Sequence, residues 1–425
     1  MTTPHTAPQT RSFDIQAVPS PCFVLDETKL RKNLELIDAV QREAEVTIIL
    51  ALKGFSMFSA FPLVREYLSG ATASSLNEIK LVNEYMNVPA HAYVPAYRDD
   101  DFDEILARSS HVTFNSWSQW ERFELRIKNL ERSTAAVRMA SPVDDAGGAI
   151  LTAAADRSKF LTLNSNSLPS FGIRVNPQYS EVVTNMYNPC VPGSRLGVTR
   201  DKLPDTLPEG LDGLHFHTLC ENDSFTLERT LEALEGRFGD LLHQAKWVNM
   251  GGGHLMTREG YDTNHLISLL KSFREKYNVD IIMEPGSAIA WQTGVLVSTV
   301  LDVFDSQGID VAVLDTSFAA HMPDTLEMPY KPIIRDAYQE PVAGLPTYRL
   351  GGMTCLAGDF MGDYSFDQPL KVGDRIVFED MIHYTMVKTT TFNGVGLPAI
   401  AIHKEDSSLE VIREYGYESF KDRLS

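Results

Sequence analysis

The chain has 425 residues, 43% of them hydrophobic and 22% charged, with a formal net charge of −19 at pH 7. That length exceeds a typical single core and asks for two domains, one of them large, in an ordinary globular composition. The negative charge excludes nucleic acid and anionic membrane as partners, since a polyanion would be repelled, and it suits a cationic small molecule, although most of it serves to keep the surface solvated.

The first residues, MTTPHTAPQTRS, are polar and read as a flexible end through residue 17. They lack the apolar segment of a signal peptide, and no apolar run reaches the roughly 20 residues of a bilayer span, so a cytoplasmic protein is expected. PCFVLDE (Pro21 to Glu27) is a strand ahead of the main pattern, and residues 18–44 are grouped with a late β domain that this strand would join. VTIILALK (Val46 to Lys53) reads as a buried strand, and FSAFPLVREYLS and SSLNEIKLVNEYM behind it carry apolar residues at helical spacing. HAYVPA, HVTFNS, FGIRVNP, GLHFHTL, KWVNMGG and VDIIMEPG repeat the strand, most of them followed by amphipathic stretches such as FTLERTLEALEGRFGDLL. Repeated strand and helix imply parallel strands with crossover helices, so the class is α/β, with a (β/α)8 TIM-like barrel over residues 45–294. After about Gly294, GVLVSTVLDVF, DVAVLDTS, YRLGG, DRIVFED and AIAIHK are strands without comparable helices. Residues 295–425 are therefore expected to form a mainly β domain, completed by the N-terminal strand.

Cys22, Cys190, Cys220 and Cys355 form no CxxC pair, which argues against a zinc ribbon or a disulfide framework and fits reduced thiols. No metal site is expected. The unusual residues fall at the C-terminal ends of the strands, where barrel active sites lie. In order they are ILALKG with Lys53, HFHTLCE (His215 to Glu221), GGGH (Gly251 to His254) and EPG (Glu284 to Gly286); TCLAGD (Thr354 to Asp359) and YTMVKTTTFNG (Tyr384 to Gly394) follow in the late domain.

A lysine at a strand end normally snorkels to the surface, whereas burial would lower its pKa and free a nucleophilic amine. His215 and His217 alternate and would share one face of a strand. The glycines permit backbone N–H groups to approach a phosphate. Glu284 ends an apolar strand, where a carboxylate is costly without a cationic partner, and a protonated pyridine nitrogen is one. Taken singly, Cys355 reads as a packed thiol, Asp359 as a loop carboxylate and Tyr384 as a core strand residue. Together, an amine, an imidazole, a glycine turn, a carboxylate and a thiol are the parts of a pyridoxal 5′-phosphate (PLP) site.

The order of motifs resembles the alanine racemase-like, fold-type III PLP enzymes, and within them the ornithine and diaminopimelate decarboxylase group. ALKGFSMFSAFP, YNPCVPGSRLGV, HFHTLCE, EMPYKP and GGMTCLAGDFMGDY are similar to the carboxynorspermidine/carboxyspermidine decarboxylases, over about Val18 to about His403. The resemblance implies that Lys53 holds PLP covalently, that His217 stacks on its ring and that Glu284 pairs with the pyridinium nitrogen. It implies that Gly252, Gly253, the backbone from Glu284 through Gly286 to Ser287, and the Tyr384 hydroxyl hold the phosphate. Cys355 would reprotonate the reacting carbon as general acid. With Asp359 it would reach the site of the other protomer in a head-to-tail homodimer, and Glu78 would sit near the cofactor.

The implied substrate is carboxynorspermidine or carboxyspermidine, decarboxylated to norspermidine or spermidine in polyamine biosynthesis. Carboxylates should receive its distal amines: Asp359 first, then Asp324, Glu327 and Asp363, for which a solvated loop face is the plain alternative. Two departures count against ornithine, arginine or diaminopimelate decarboxylation: Ser287 follows EPG where ornithine-type enzymes have an arginine, and Leu219, Cys220 and Glu221 replace a run of small residues. An amino-acid racemase on the same fold would place an arginine at the ring nitrogen, where this chain has Glu284. A non-catalytic, decarboxylase-like regulator that binds a partner protein would not be expected to keep Lys53, Cys355 and Glu284 together. The two triamines differ by one methylene, worth about 1 to 3 kcal/mol in a fitted pocket, so the sequence does not rank them.

Overall fold

A computed structural model describes residues 13–140 and 168–425. Internal contacts divide the chain into a sheet unit, Met1–Leu34, Gly54–Ser59 and Ile289–Ser425, and a barrel unit, Glu35–Lys53 and Ala60–Ala288. The expected divisions fall at 44/45 and 294/295. The chain opens with β1 (Cys22–Asp26), which belongs to the sheet unit.

The barrel unit is built from β2 (Thr47–Ile48), β3 (Leu50–Ala51), β4 (Ala71–Ala73), β5 (Ala90–Tyr93), β6 (Ser109–Phe114), β7 (Ser170–Arg174), β8 (Leu211–His215), β9 (Trp247–Asn249) and β10 (Asp280–Met283). Their order is β2-β10-β9-β8-β7-β6-β5-β4-β3, all parallel. β2 and β3 are two halves of one run broken at Ile49, so pairing of β2 with β10 and of β3 with β4 brings the ends of the sheet together in a (β/α)8-type barrel, as the alternation predicts. Ile48, Ile49, Leu50, Ala51 and Leu52 are all fully buried, the continuous apolar run that a parallel strand covered on both faces requires.

Outside the strands, the helix Ser224–Leu242 starts where Asp223 accepts the Thr226 N–H at 2.8 Å, and it buries Leu227, Leu231, Leu234, Phe238 and Leu241 along one stripe. Other helical readings shorten. FSAFPLVREYLS yields an α-helix only at Phe61–Val64, and the helix Leu76–Leu81 widens into a π turn, Val82–Met86. Between β7 and β8 the described residues hold no α-helix, only 3₁₀ turns at Asn185–Tyr187 and Arg200–Lys202. Pro177, Pro189, Pro192 and Gly193 interrupt that connection.

Inward-facing residues follow the two-residue period of the strands. The lower layer holds His91 and His111, stacked with centroids 4.0 Å apart, and Trp247, whose ring is 5.3 Å from that of His111. The indole fills the space above Gly172 and Gly213, where an added Cβ would come under 3.0 Å from it. Two residues further along the same strands, Tyr93, Arg174, His215 and Asn249 make the upper layer, at the C-terminal end of the barrel.

The sheet unit continues with β11 (Gly294–Ser306), β12 (Ile309–Leu314), β13 (Ala337–Tyr338), β14 (Thr347–Gly351), β15 (Phe360–Phe366), β16 (Arg375–Glu379), β17 (Ala399–His403) and β18 (Leu409–Arg413). The order is β13-β15-β14-β12-β11-β1-β17-β18, with β16 also on β11. β1 lies inside this sheet, antiparallel to β11 and parallel to β17, so the N-terminal strand completes the late domain as expected. Cys22 and Val24 join Val295, Val297, Val377, Ala399 and Ala401 in one core cluster, and burial pushes the Cys22 thiol up to about 12. Phe13 and Ile15 pack on that cluster, which anchors the end of the leader that was read as flexible through residue 17; residues 1–12 lie outside the described set.

Burial holds the His91 imidazole well below its ordinary pKa and lowers that of His111 from 6.5 to about 4. The unfolded chain binds protons that these folded rings refuse, so stability should fall as pH drops from about 6.5 towards 4. His91→Phe should flatten the decline of the urea midpoint across that window. An unchanged slope would detach the pair from acid sensitivity.

Candidate functional site

Lys53 is the first residue beyond the buried run that ends at Leu52. Its side chain keeps access to solvent, yet protein crowds the amine closely. That desolvation, then the Arg174 charge, push its pKa below the ordinary lysine value, against the opposing charges of Glu284 and Glu78. A reachable amine with a lowered pKa is a better nucleophile near neutrality than a surface lysine.

Nζ of Lys53 lies 3.1 Å from Nε2 of His217. β8 ends at His215, so His217 sits in the turn beyond the strand, a correction to the expected shared face. There its Nδ1 is 3.1 Å from both the N and the O of Gly252. Burial, then the charges of Lys53 and Arg174, hold its pKa well below the usual value, so the ring is neutral. His215 points into the lumen, and both its nitrogens are buried without a hydrogen-bond partner among the described residues.

Glu284 follows β10 and is 9% exposed. One carboxyl oxygen accepts from Asn249 Nδ2 at 2.7 Å, and the other lies 3.9 Å from Nε2 of His215, itself kept neutral by burial. Desolvation raises the Glu284 pKa in spite of Asn249, Lys53, Thr72 and Arg174. No Lys or Arg among the described residues comes within 4.0 Å of it, so this buried carboxyl has hydrogen-bond donors but no close counter-ion.

Packing accounts for the identity of Gly251, Gly252 and Gly253. An added Cβ would come 2.5 Å from Phe216 O at Gly251, and under 3.0 Å from Glu284 O at Gly252 and from Leu219 O at Gly253. The N–H of Gly252 is engaged by His217. Beyond Gly286 the chain turns into the short helix Ser287–Ala290, with Ser287 Oγ 3.5 Å from Glu221 Oε1. Glu78 opens its helix in a capping-box-like arrangement: the N-cap Ser75 Oγ accepts from Glu78 N at 3.2 Å, while Glu78 Oε2 accepts at 2.6 Å from Ser74 N, one residue before the cap. Burial raises its pKa, against the Ser74 N–H and the nearby Lys53 charge. Lys53, Glu78, His217, Gly252, Gly253 and Glu284 thus gather at the C-terminal end of the barrel, with Gly286 and Ser287 following Glu284.

The sheet unit carries the other predicted residues. Cys355 is exposed, and its N–H donates to Asn393 Oδ1 at 2.8 Å. Asp359 is buried: Oδ1 accepts from Ala319 N at 3.0 Å, and Oδ2 from Thr354 N at 3.1 Å and Thr354 Oγ1 at 2.5 Å. Its carboxylate occupies the space a Cβ on Gly352 would need, so it first of all holds the loop that bears Cys355. Asp324 is buried and accepts from Tyr330 at 2.7 Å and Thr385 at 2.8 Å. Glu327 pairs with Lys388, and Asp363 takes the Arg349 guanidinium at 2.8 and 3.2 Å. Tyr384, read as a strand residue, instead lies in a turn with φ 41°, its N–H donating to Gly54 O at 2.8 Å.

Sequence reasoning missed Arg174. It is 3% exposed, donates to His217 O at 3.0 Å and lies 4.8 Å over the Tyr93 ring. The available signal was an arginine inside the apolar strand FGIRV, in step with Asn249 in WVNM. A cleft of about 530 Å³ opens beside β6 and β7, lined by Trp117, Asn176, Cys190 and Ser194 among others, and holds none of the predicted site residues.

The chain matches, over residues 22–382, the family model described as pyridoxal-dependent decarboxylase, C-terminal sheet domain. It is 47% identical over 411 residues to a carboxyaminopropylagmatine decarboxylase of Synechocystis sp., covering 96% of each chain. It is 39% identical over 418 residues to a carboxynorspermidine/carboxyspermidine decarboxylase of Campylobacter jejuni, covering 96% of this chain and 99% of that one. The crystal structure of carboxynorspermidine decarboxylase from Campylobacter jejuni, complexed with norspermidine, aligns with a TM-score of 0.79 at 38% identity, covering 96% of this chain and 100% of that one.

The influence of Arg174 on Lys53 can be tested without any ligand. Arg174→Gln should raise the Lys53 pKa, shifting the pH profile of its reductive methylation, read by peptide mass spectrometry, to higher pH. A profile that does not move would leave desolvation as the sole cause.

Proposed function

The chain belongs to the pyridoxal-dependent decarboxylase family, and from that premise we propose that it decarboxylates a carboxylated polyamine, carboxynorspermidine or carboxyspermidine, to norspermidine or spermidine in polyamine biosynthesis. The observation that carries this reading is the meeting, at one end of the barrel, of a reachable low-pKa amine, a neutral imidazole and a buried carboxyl without a close counter-ion. The relatives that act on carboxylated polyamines support the substrate class. A second reading is favoured by the 47% identical relative: the substrate is carboxyaminopropylagmatine, which ends in a guanidinium.

Pyridoxal phosphate, when bound, supplies a carbonyl that condenses with amines and a protonated ring that spreads the electron pair left by departing CO₂. The residues present fit it. Glu284 asks for a cation and would keep the proton on the ring nitrogen, the orphaned His215 nitrogens mark a polar floor, and Lys53 Nζ would hold the carbonyl carbon until the substrate amine replaces it. His217, neutral and tied to Gly252, would face the ring without adding charge. Gly253, Gly286 and Ser287 would hold the phosphate, while the Gly252 N–H stays with His217. Cys355 Sγ would deliver the proton to the carbon that lost CO₂. Asp359, although both its oxygens already accept from Ala319 and Thr354, and Glu78 stand as the carboxylates toward the substrate amines; Glu327 and Asp363 already pair with cations in their own unit, whereas Asp324 takes two hydroxyls on Oδ2 and keeps Oδ1 without a partner among the described residues.

The protein acts as a homodimer in which Cys355 and Asp359 serve the partner's site. Support comes from Met353, Leu356 and Phe360, which are 44%, 46% and 42% exposed around Cys355, and from Phe392, 46% exposed beside the Asn393 that ties the two loops. Such an apolar face is suited to cover by another protein surface. All four cysteines are free, which supports a reducing, cytoplasmic setting. Among the described residues no helix is long and apolar enough to cross a membrane.

The deciding experiment measures CO₂ release by the PLP-loaded protein on carboxynorspermidine, carboxyspermidine, carboxyaminopropylagmatine, ornithine, arginine and meso-diaminopimelate, with the amines identified. Release from the carboxylated polyamines alone is expected; turnover of an amino acid would overturn the substrate class. Lys53→Ala should lose both cofactor absorbance and turnover, and Cys355→Ala should keep the absorbance but slow or misdirect protonation. Mixing the two impaired proteins should raise activity through hybrid dimers, and no gain after proven subunit exchange would refute the shared site.

A further inference from the structure

The phosphate of the cofactor brings up to two negative charges to a barrel end that already holds Glu78, Glu221 and Glu284, in a chain of net charge −19. It needs a cation there. Lys53 stands against His217, and Arg174 is buried, committed to His217 O and the Tyr93 ring. A further cation, Arg258, lies in the connection that follows β9 and is exposed. Its Nη1 donates to Glu221 O at 3.2 Å, and no carboxylate among the described residues is within ion-pair distance of it.

The surroundings of Arg258 are fixed from two sides. Thr257 Oγ1 donates to Ala288 O at 2.6 Å, tying this loop to the Ser287–Ala290 turn, and Leu255 N donates to Asn222 O at 3.2 Å, tying it to the segment beyond His217. Asn222 N in turn donates to Gly253 O at 2.9 Å, and Ser287 Oγ lies 3.5 Å from the Glu221 carboxylate. Gly253, Glu221, Ser287 and Arg258 therefore border one stretch of the barrel unit, the stretch to which the functional reading assigns the phosphate. Ser287 offers a hydroxyl and no charge; Glu221 offers the wrong charge.

Resting on that reading, we propose that Arg258 is the cation that binds the 5′-phosphate of the cofactor, opposed by the Glu221 carboxylate that lies against Ser287. One guanidinium N–H is used by the Glu221 carbonyl, which leaves donors for an anion and a positive charge that otherwise acts only at longer range, on Asp223.

The test titrates apoprotein with PLP and, separately, with pyridoxal, which lacks the phosphate, following the absorbance of the bound cofactor. Arg258→Gln should raise the Kd for PLP about tenfold or more and leave that for pyridoxal unchanged, with Arg258→Lys between. Glu221→Gln should tighten PLP alone. A PLP affinity of Arg258→Gln within about twofold of the parent overturns the proposal, since a charge-assisted contact is worth more. Equal losses for PLP and pyridoxal overturn it too, because Arg258 would then be holding the loop and not the phosphate. If the parent protein takes up no PLP, the functional reading fails and this inference with it.

Discussion

Glu284 and Lys53 are both pressed into surroundings that disfavour their charges, and among the described residues neither has a close ion-pair partner of opposite sign. A buried carboxylate or ammonium left in that state costs stability, which a fold ordinarily avoids by pairing or exposure. Here the polar groups around them are arranged to hold the conflict in place. Asn249 donates to Glu284 without neutralising it, His215 stands beside it uncharged, and Arg174 lowers the affinity of Lys53 for a proton. Each is fixed near the end of a different parallel strand, so the barrel is what keeps these desolvated groups together.

That arrangement demands close backbone packing, which is where the glycines enter. Gly251 to Gly253 let the turn after β9 approach the chain beyond β8 and β10, bringing Gly252 to His217 and so His217 to Lys53. One layer lower, Gly172 and Gly213 admit the indole of Trp247, which fills the lumen beneath the polar layer. A methyl group at these glycines would meet backbone or indole atoms under 3.0 Å away, so the site's geometry depends on main-chain spacing as much as on the residues with chemistry.

The strands were legible because buried parallel strands are written as unbroken apolar runs, and Ile48 to Leu52 is such a run. Lys53 and Glu284 were legible for the same reason: a charge ending an apolar run is conspicuous. Arg174 and Asn249 were not, since a polar residue facing a barrel lumen looks like any interruption until the neighbouring strands are in register. Local pattern also misplaced His217 and Tyr384, because alternation cannot say where a strand stops. Asp359 was singled out by its motif, but only the hydrogen bonds from Ala319 and Thr354 reveal that it holds its own loop.

Among the substrates proposed above, discrimination follows from what each has at its far end. Carboxynorspermidine and carboxyspermidine both end in an ammonium and differ in length by one methylene, a difference a pocket resolves weakly. A guanidinium is planar and presents a fork of donors, where an ammonium is a compact, strongly hydrated point charge. A pocket that satisfies one leaves donors or acceptors unpaired with the other, and unpaired buried polar groups separate ligands far more sharply than a missing methylene does. The division between an agmatine-derived and a spermidine-type substrate is therefore the steep one, and under the proposed function the groups that draw it belong at the distal end, away from Lys53, which that reading assigns to the reacting end.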